Sequence, residues 1–264
     1  MQRFDYHRPT SLAEVQALLS DDTAARLLAG GQSLIPAMKI DLAAPTAVIS
    51  LRDLTELRGI AVDAQHVEIG AMTTHTDVAN SPDVRAAIPA LATMAAQIGD
   101  AQVRNRGTLG GSLAHADPAA DYPAALLGLD ATVVTQRREI PAHEFFRGML
   151  TTALEPGELI VRVRFPVPEC AAYMKYGSPA SKFAIVGVMV ARGAAGVRVA
   201  VTGAGRTVFR QRAMEAALTI RFEPDALTGV TQSADGLLSD IEASAEYRAH
   251  LVGVMARRAV AACL

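Results

Sequence analysis

Cysteine is scarce: Cys170 and Cys263 are the only two in 264 residues. Their separation fits no metal-ligand spacing, and two thiols fall short of the four that usually hold an iron–sulfur cluster. In a cytosolic protein such thiols stay reduced. No apolar run approaches the roughly 18 residues of a membrane span. The N-terminus, MQRFDYHRPT, has neither the apolar stretch nor the small-residue cleavage site of a secretion signal. A formal net charge of -2 argues against nucleic acid as the main partner. Low-complexity segments and solenoid-length repeats are missing, and no Ser–His–Asp set or carboxylate pair suggests hydrolysis. What remains is a chain half apolar and 20% charged, long enough for two domains or one with a satellite. Its composition is that of a cytoplasmic α/β-type protein with no metal centre of its own.

The first element is a helix: Ser11 and Glu14 form a capping-box pair, and Leu12, Val15, Leu18 and Leu19 share one face. ARLLAGG reads as a short buried strand ending at Gly30–Gly31. TAVISL (46–51), HVEIG (66–70) and ATVVT (131–135) have the length and β-branched content of strands. Helices are expected over Thr74–Asn80, opened by a threonine cap, and Pro89–Ile98, opened by proline. PGELIVRVRFPVP (156–168) is a turn, a strand with alternating Arg162 and Arg164, and a proline-marked exit. A domain boundary is placed there. Beyond it come strands near 183–191 and 197–202, a helix near 211–219 and a long helix from about Ser244 to Cys263. Arginines at 192, 198, 206, 210, 212 and 221 face one acid, Glu215, in their own stretch, a bias expected of a solvated face.

Two glycine pairs echo each other, AGGQSL at 29–34 and LGGSLA at 109–114. Neither is GxGxxG and neither is GxxxxGK[ST], so the Rossmann and P-loop fingerprints are missing. A tight turn explains one glycine pair. Two pairs, each after an apolar strand, also suit backbone nests that cradle a pyrophosphate, because glycine allows φ > 0 and lets N–H groups converge. Such a clamp needs no lysine, and none stands beside either segment.

The blocks FDYHRPTSLAEVQALL, LLAGGQSLIPAMKIDLAAPTAVISLRDL, IGAMTTH, RNRGTLGGSLAHADPAADYPAAL and PGELIVRVRFP, in this order, resemble the FAD-binding medium subunits of molybdenum hydroxylases, the xanthine dehydrogenase and aerobic carbon monoxide dehydrogenase family. VRVAVTGAG and DIEASAEYRAHLVGVMARRAV resemble that family's small C-terminal domain, so the likeness spans nearly the whole chain. It implies an α+β fold like that of vanillyl-alcohol oxidase. Two subdomains, about 1–55 and 56–166, would clasp an extended FAD, and a C-terminal domain would occupy 167–264. Carried over by residue, Ala29, Gly30, Gly31, Gln32, Ser33 and Leu34 match the first FAD loop, and Thr108, Gly110, Gly111 and Ser112 the second. Ser112 stands where the family usually has asparagine, whose amide offers more hydrogen bonds than a hydroxyl. Asp121 matches an acid on the flavin's sugar portion, Lys175 a lysine near the cofactor, Ile160 an aliphatic contact, and Thr73 a block facing the flavin. Ile98 takes a position where some relatives stack an aromatic on adenine. His75 and His115 read first as local hydrogen-bonders, and Asp117 as a turn residue.

The resemblance implies an oxidoreductase subunit in which FAD carries the chemistry and the protein supplies no catalytic side chain. Electrons would arrive from a separate [2Fe–2S] small subunit, itself fed by a molybdopterin large subunit where substrate is hydroxylated. They would leave to a quinone, a cytochrome, oxygen or NAD. The expected assembly is a cytoplasmic dimer of heterotrimers, associated with the inner face of the membrane, if at all, through the complex. Two alternatives stand beside this reading: a self-sufficient FAD oxidase of a small alcohol or amine, and a non-catalytic assembly module of the same fold. SPASKFA at 178–184 departs from the Arg-x-x-Asp pattern common in the carbon monoxide dehydrogenase branch.

Overall fold

The computed structural model describes residues 1–194 and 196–264. Three principal sheets follow one another along the chain. The first is parallel, with Asp5–His7 and Arg26–Leu28 flanking Ala47–Ser50. Its central strand AVIS is buried at every residue, as expected of a strand covered on both faces. The helix Leu12–Asp21 connects the outer strands and plugs Val15 into a small core with Ile49, Leu54 and Leu57. Ser11 caps it by accepting from the Glu14 N–H, but the Glu14 carboxylate reaches back to the Thr10 N–H at 2.8 Å instead of Ser11. The box closes one residue earlier than the spacing suggests.

The second sheet is antiparallel, in the order Ile60–Val62, His66–Gly70, Ile160–Pro166, Thr132–Thr135, Glu139–Pro141. Ile160–Pro166 is central, and its two half-buried arginines share Glu68 on the neighbouring strand, at 3.4 Å from Arg162 and 2.7 Å from Arg164. Helices His75–Asn80, Pro82–Ala87, Pro89–Ala96, Leu109–His115 and Tyr122–Gly128 pack into its core. Thr74 opens the first of these with a complete capping box to Asp77, and prolines open the second and third.

The third sheet runs Cys170–Gly177, Ala184–Gly193, Gly196–Thr202, Phe209–Arg210, all antiparallel. Residues 184–191 are uniformly buried because this sheet is covered twice. On one face lies the helix Ala245–Ala262, packed on Val186, Val188 and Val190. On the other, Met189 and Ala200 join the core of the second sheet, and a methyl on Gly128 would come 2.6 Å from Met189 Cγ. The arginine-rich stretch is not a plain solvated face. Arg198 pairs with Asp130 and Arg210 with Glu215, each of the two arginines only 13% exposed. Arg192 pairs with Glu169 and lies over the Phe222 ring. Asp130 and Glu169 lie in connecting segments outside the stretch, whereas Glu215 sits within it on the helix Arg212–Ile220. Both cysteines are free thiols.

Candidate cofactor site

The first glycine segment follows the strand Arg26–Leu28 and leads into the short helix Leu34–Lys39. Gly31 has φ of 75°, a conformation open to glycine at no cost. Gly30 packs so tightly that any Cβ would run into the Arg106 carbonyl. The helix ladder begins only with Ile35, which donates to Gly31 O. The backbone N–H groups of Gly30, Gly31, Gln32, Ser33 and Leu34 find no acceptor among the described residues. Gly30, Gly31 and Leu34 are half-buried and Gln32 and Ser33 exposed, so this run of donors at a helix start beside the cavity is open to an anion in place of water.

The second segment differs. Its residues start a helix, Leu109–His115, with Thr108 as the cap. Leu109 N–H donates to Thr73 O, Gly110 N–H to Ala71 O, Gly111 N–H to Thr108 Oγ1 and Ser112 N–H to Thr108 O, at 2.9–3.1 Å. A methyl on Gly110 would sit 2.5 Å from the Ala71 Cβ. Close packing, of Gly110 on Ala71 and of Gly111 on Thr108 and Ala29, therefore demands this pair rather than a nest. The expectation of two matched nests is corrected to one nest and one backing wall.

Between these walls lies a cavity of about 720 Å³. One stretch of its lining belongs to the N-terminal core, with Leu19, Ala25, Leu51 and Leu159, and Ile160 alongside. A second stretch holds His75, Ile98, Gly99, Val103, Asp121 and the turn Ser181–Phe183. The glycine segments link the two. Ala29 packs with the first, Gly30 abuts Arg106 and Gly107, and Gly107 abuts His75 and Val103.

Asp121 is 4% exposed and heads the helix Tyr122–Gly128. Tyr173 Oη donates to its Oδ1 at 2.5 Å, and Lys175 Nζ donates to Oδ2 at 3.1 Å. The two partners sit two residues apart on one strand and so share a face. Gly187, on the next strand, has only hydrogen where a Cβ would strike the Tyr173 hydroxyl, and this lets the ring lie across the sheet. Lys175 also donates to Gln97 O at 2.9 Å and Lys182 O at 3.0 Å, so all three ammonium protons are engaged. Burial pushes the Asp121 carboxyl above its ordinary value, against the opposing pull of Lys175 and Tyr173. A carboxylate has about four acceptor positions, so Asp121 retains capacity toward the cavity.

His75 is buried in the wall, its ring 5.3 Å from that of Tyr122. Burial, with help from Arg104, lowers its pKa to about 4, and the imidazole is neutral at pH 7. Its Nδ1 and the Tyr122 hydroxyl are buried without a partner. Glu158 lies in the opposite stretch and is held by Arg138, Thr135 and the Glu155 N–H; its pKa falls to about 2, chiefly through the Arg138 hydrogen bonds. It is fully engaged in protein contacts. No group of three or more His, Cys, Asp or Glu suited to a metal ion occurs among the described residues.

The structure thus gathers residues 29–34, Ile98, Thr108, Gly110, Gly111, Ser112, Asp121 and Ile160 around one cavity. Thr73 and Lys175 are not on the lining. The Thr73 hydroxyl bonds both polar backbone groups of Gly59, and Lys175 stands behind Asp121. Ile98 and Asp121 are joined through Lys175, which holds Asp121 and the carbonyl of Gln97, so they serve the same end of the cavity. Sequence reading missed Tyr173, Phe183 and the N-terminal aliphatics. Tyr173 was detectable, since it alternates with Lys175 along the strand Cys170–Gly177.

The arrangement is that of a flavoprotein. Residues 2–168 match the family described as the FAD binding domain in molybdopterin dehydrogenase, and the chain belongs to that family. FAD is its cofactor, and it is the medium, flavin-carrying type of oxidoreductase subunit. The carbon monoxide dehydrogenase medium chain of Hydrogenophaga pseudoflava is 36% identical, over 98% of this chain and 96% of its own. The nicotine 6-hydroxylase medium subunit of Paenarthrobacter nicotinovorans is 35% identical, over 97% and 95%. The solved structure of reconstituted CO dehydrogenase from Oligotropha carboxidovorans superposes with a TM-score of 0.92 at 34% identity, covering 99% of this chain and 98% of that one. These relatives are medium chains of multi-subunit enzymes. The five unpartnered amides and a cavity of about 720 Å³ suit a dinucleotide. No helix is long and apolar enough to cross a membrane among the described residues.

Proposed function

We propose that this chain is the electron-transfer subunit of a molybdenum hydroxylase, holding FAD extended along the cavity. The five unpartnered N–H groups of Gly30–Leu34 carry the reading: a run of backbone donors beside the cavity suits a pyrophosphate with no basic side chain. Asp121, preset by Tyr173 and Lys175, accepts from hydroxyls of the flavin's sugar portion. Since Ile98 lies at Asp121's end, Ile98 faces the flavin half. The adenine half then takes the stretch with Leu19, Leu51 and Ile160, which reverses the placement expected for Ile98 from sequence. Thr73 and Lys175 act as positioning residues.

When bound, FAD would supply the redox chemistry, including the capacity to accept single electrons and store two, while the residues above hold and orient it. The donor is a [2Fe–2S] small subunit supplied by a molybdopterin large subunit that hydroxylates the substrate, and the acceptor is external. The same proposal divides the chain into an FAD-binding part, 1–166, and a C-terminal part, 167–264, and sets it in a cytoplasmic dimer of heterotrimers. Purified alone, the chain is expected to bind FAD yet oxidise no small alcohol or amine. Purified with its partner subunits, its flavin absorbance should bleach on adding substrate. Oxidation at an enzymatic rate by the isolated chain would overturn the proposal in favour of a self-sufficient oxidase.

A further inference from the structure

The only two cysteines of the chain stand more than ninety positions apart in sequence, and the fold brings them to one place. Cys170 begins the strand Cys170–Gly177. Side chains two apart on a strand share a face, so Cys170 points the same way as Ala172 and Met174, which pack in the core under the helix Ala245–Ala262. Its cross-strand partner is Arg192, in line with Val188 and Val190 of that core. Cys263 ends the helix, where its N–H donates to Ala259 O and Val260 O, and packs on the same core. Helix end and strand start therefore meet over one face of the sheet.

The two thiols touch there. Burial pushes the Cys263 thiol up to about 12, and Cys170 adds to the rise through its charge and a hydrogen bond, while Arg192 pulls the other way. Both residues are half-buried and free, within reach of a small oxidant. Neither lines the cofactor cavity. A buried cysteine on its own behaves as a small hydrophobe. Two thiols in contact beside a guanidinium are placed for more. The cation favours a thiolate that can attack an oxidant, and the second thiol stands ready to resolve the product.

We infer that Cys170 and Cys263 form a redox-modification site, a dithiol that closes to a disulfide under hydrogen peroxide and reopens under a thiol reductant. The Cys170 thiolate attacks one peroxide oxygen and the O–O bond breaks. Its sulfur becomes a sulfenic acid, and the hydroxide released takes up the proton the thiol gave up, as water. The Cys263 sulfur then attacks the sulfenic sulfur. The S–S bond forms, the S–O bond breaks, and the hydroxyl leaves with the Cys263 proton as a second water. Two thiols and one peroxide become one disulfide and two waters. The bond ties the last turn of the C-terminal helix to the strand that carries Tyr173 and Lys175, the partners of Asp121. In a reducing compartment such a bond is transient, as suits a sensor. The inference stands apart from the choice of electron donor or acceptor for the flavin.

The test treats the FAD-loaded chain, reduced and then freed of reductant, with hydrogen peroxide. Thiols titrated after denaturation should fall from two to none per chain. Digestion should yield a peptide joining Cys170 to Cys263, and dithiothreitol should restore both thiols. Closing so long a loop should raise the thermal midpoint by at least about 4 °C over the reduced protein. Cys170→Ser and Cys263→Ser should each give no joined peptide and no shift in midpoint with peroxide. In Cys263→Ser, dimedone should trap the sulfenic acid on Cys170. The inference is overturned if peroxide leaves both wild-type thiols titratable, links one chain to another, or carries either cysteine to sulfinic acid without the joined peptide.

Discussion

Replacing Lys175 by methionine keeps most of the unbranched side chain and removes one charge from a buried pair. Lys175 is 6% exposed and Asp121 4%, and Lys175 approaches both carboxylate oxygens, at 3.0 and 3.1 Å. Breaking such a pair by deleting one partner typically costs about 3–5 kcal/mol, because the survivor is left charged and dry. The loss is limited by protonation. Burial already raises the Asp121 pKa above 3.8, and without Lys175 it rises further. A carboxyl whose folded pKa exceeds its unfolded pKa binds more protons when folded. Its contribution to stability is full below the unfolded value and is lost as pH rises through the folded one. Lys175→Met should therefore be most destabilised at pH 8 and approach the wild type as pH falls toward 5. The double variant Asp121→Asn/Lys175→Met should recover most of the loss and show no such pH trend. Urea unfolding at several pH values reads all three proteins. A cost under about 1 kcal/mol at pH 8, or one unchanged down to pH 5, would refute the buried pair.

His75 behaves in the opposite sense. Its folded pKa of about 4 lies below the ordinary 6.5, so its stabilising effect is complete above pH 6.5 and lost as pH falls to 4. The loss amounts to about 3 kcal/mol. The difference in unfolding free energy between wild type and His75→Phe should follow that curve; a flat difference would place His75 in water. Gly30→Ala should fold poorly or lose FAD, because overpacking against the Arg106 backbone costs about 1–3 kcal/mol or more. Gly148→Ala, with open space around its Cβ position, is the control expected to match the wild type in thermal melting and flavin content.

What could be read from sequence was whatever local chemistry dictates. Thr74 with Asp77, Pro89, and the β-branched runs at 47–50 and 132–135 announce their elements because caps and side-chain branching act within a few residues. The strand Cys170–Gly177 went unread although it carries Lys175. Its mixed polarity reflects a cluster built across the fold, since Tyr173 and Lys175 meet an acid more than fifty positions earlier. Glycine pairs look alike in sequence. Only the destination of each N–H separates Gly30–Gly31, whose amides are free, from Gly110–Gly111, whose amides are spent on Ala71 and Thr108. Likewise, nothing local to Ile98 reveals that Lys175 ties its neighbourhood to Asp121.

The N-terminal sheet has its own small core, set apart from the larger one shared by the second and third sheets. Both cores contribute wall to the same cavity. Cofactor and protein are then thermodynamically one object: a ligand that touches both cores binds only when they are correctly apposed. Its free energy of binding is added to the free energy of folding, by about 1.4 kcal/mol for each tenfold excess of free FAD over its dissociation constant. Flavin starvation would act on such a chain as heat does, loosening residues 5–51 as a cooperative unit before the remainder.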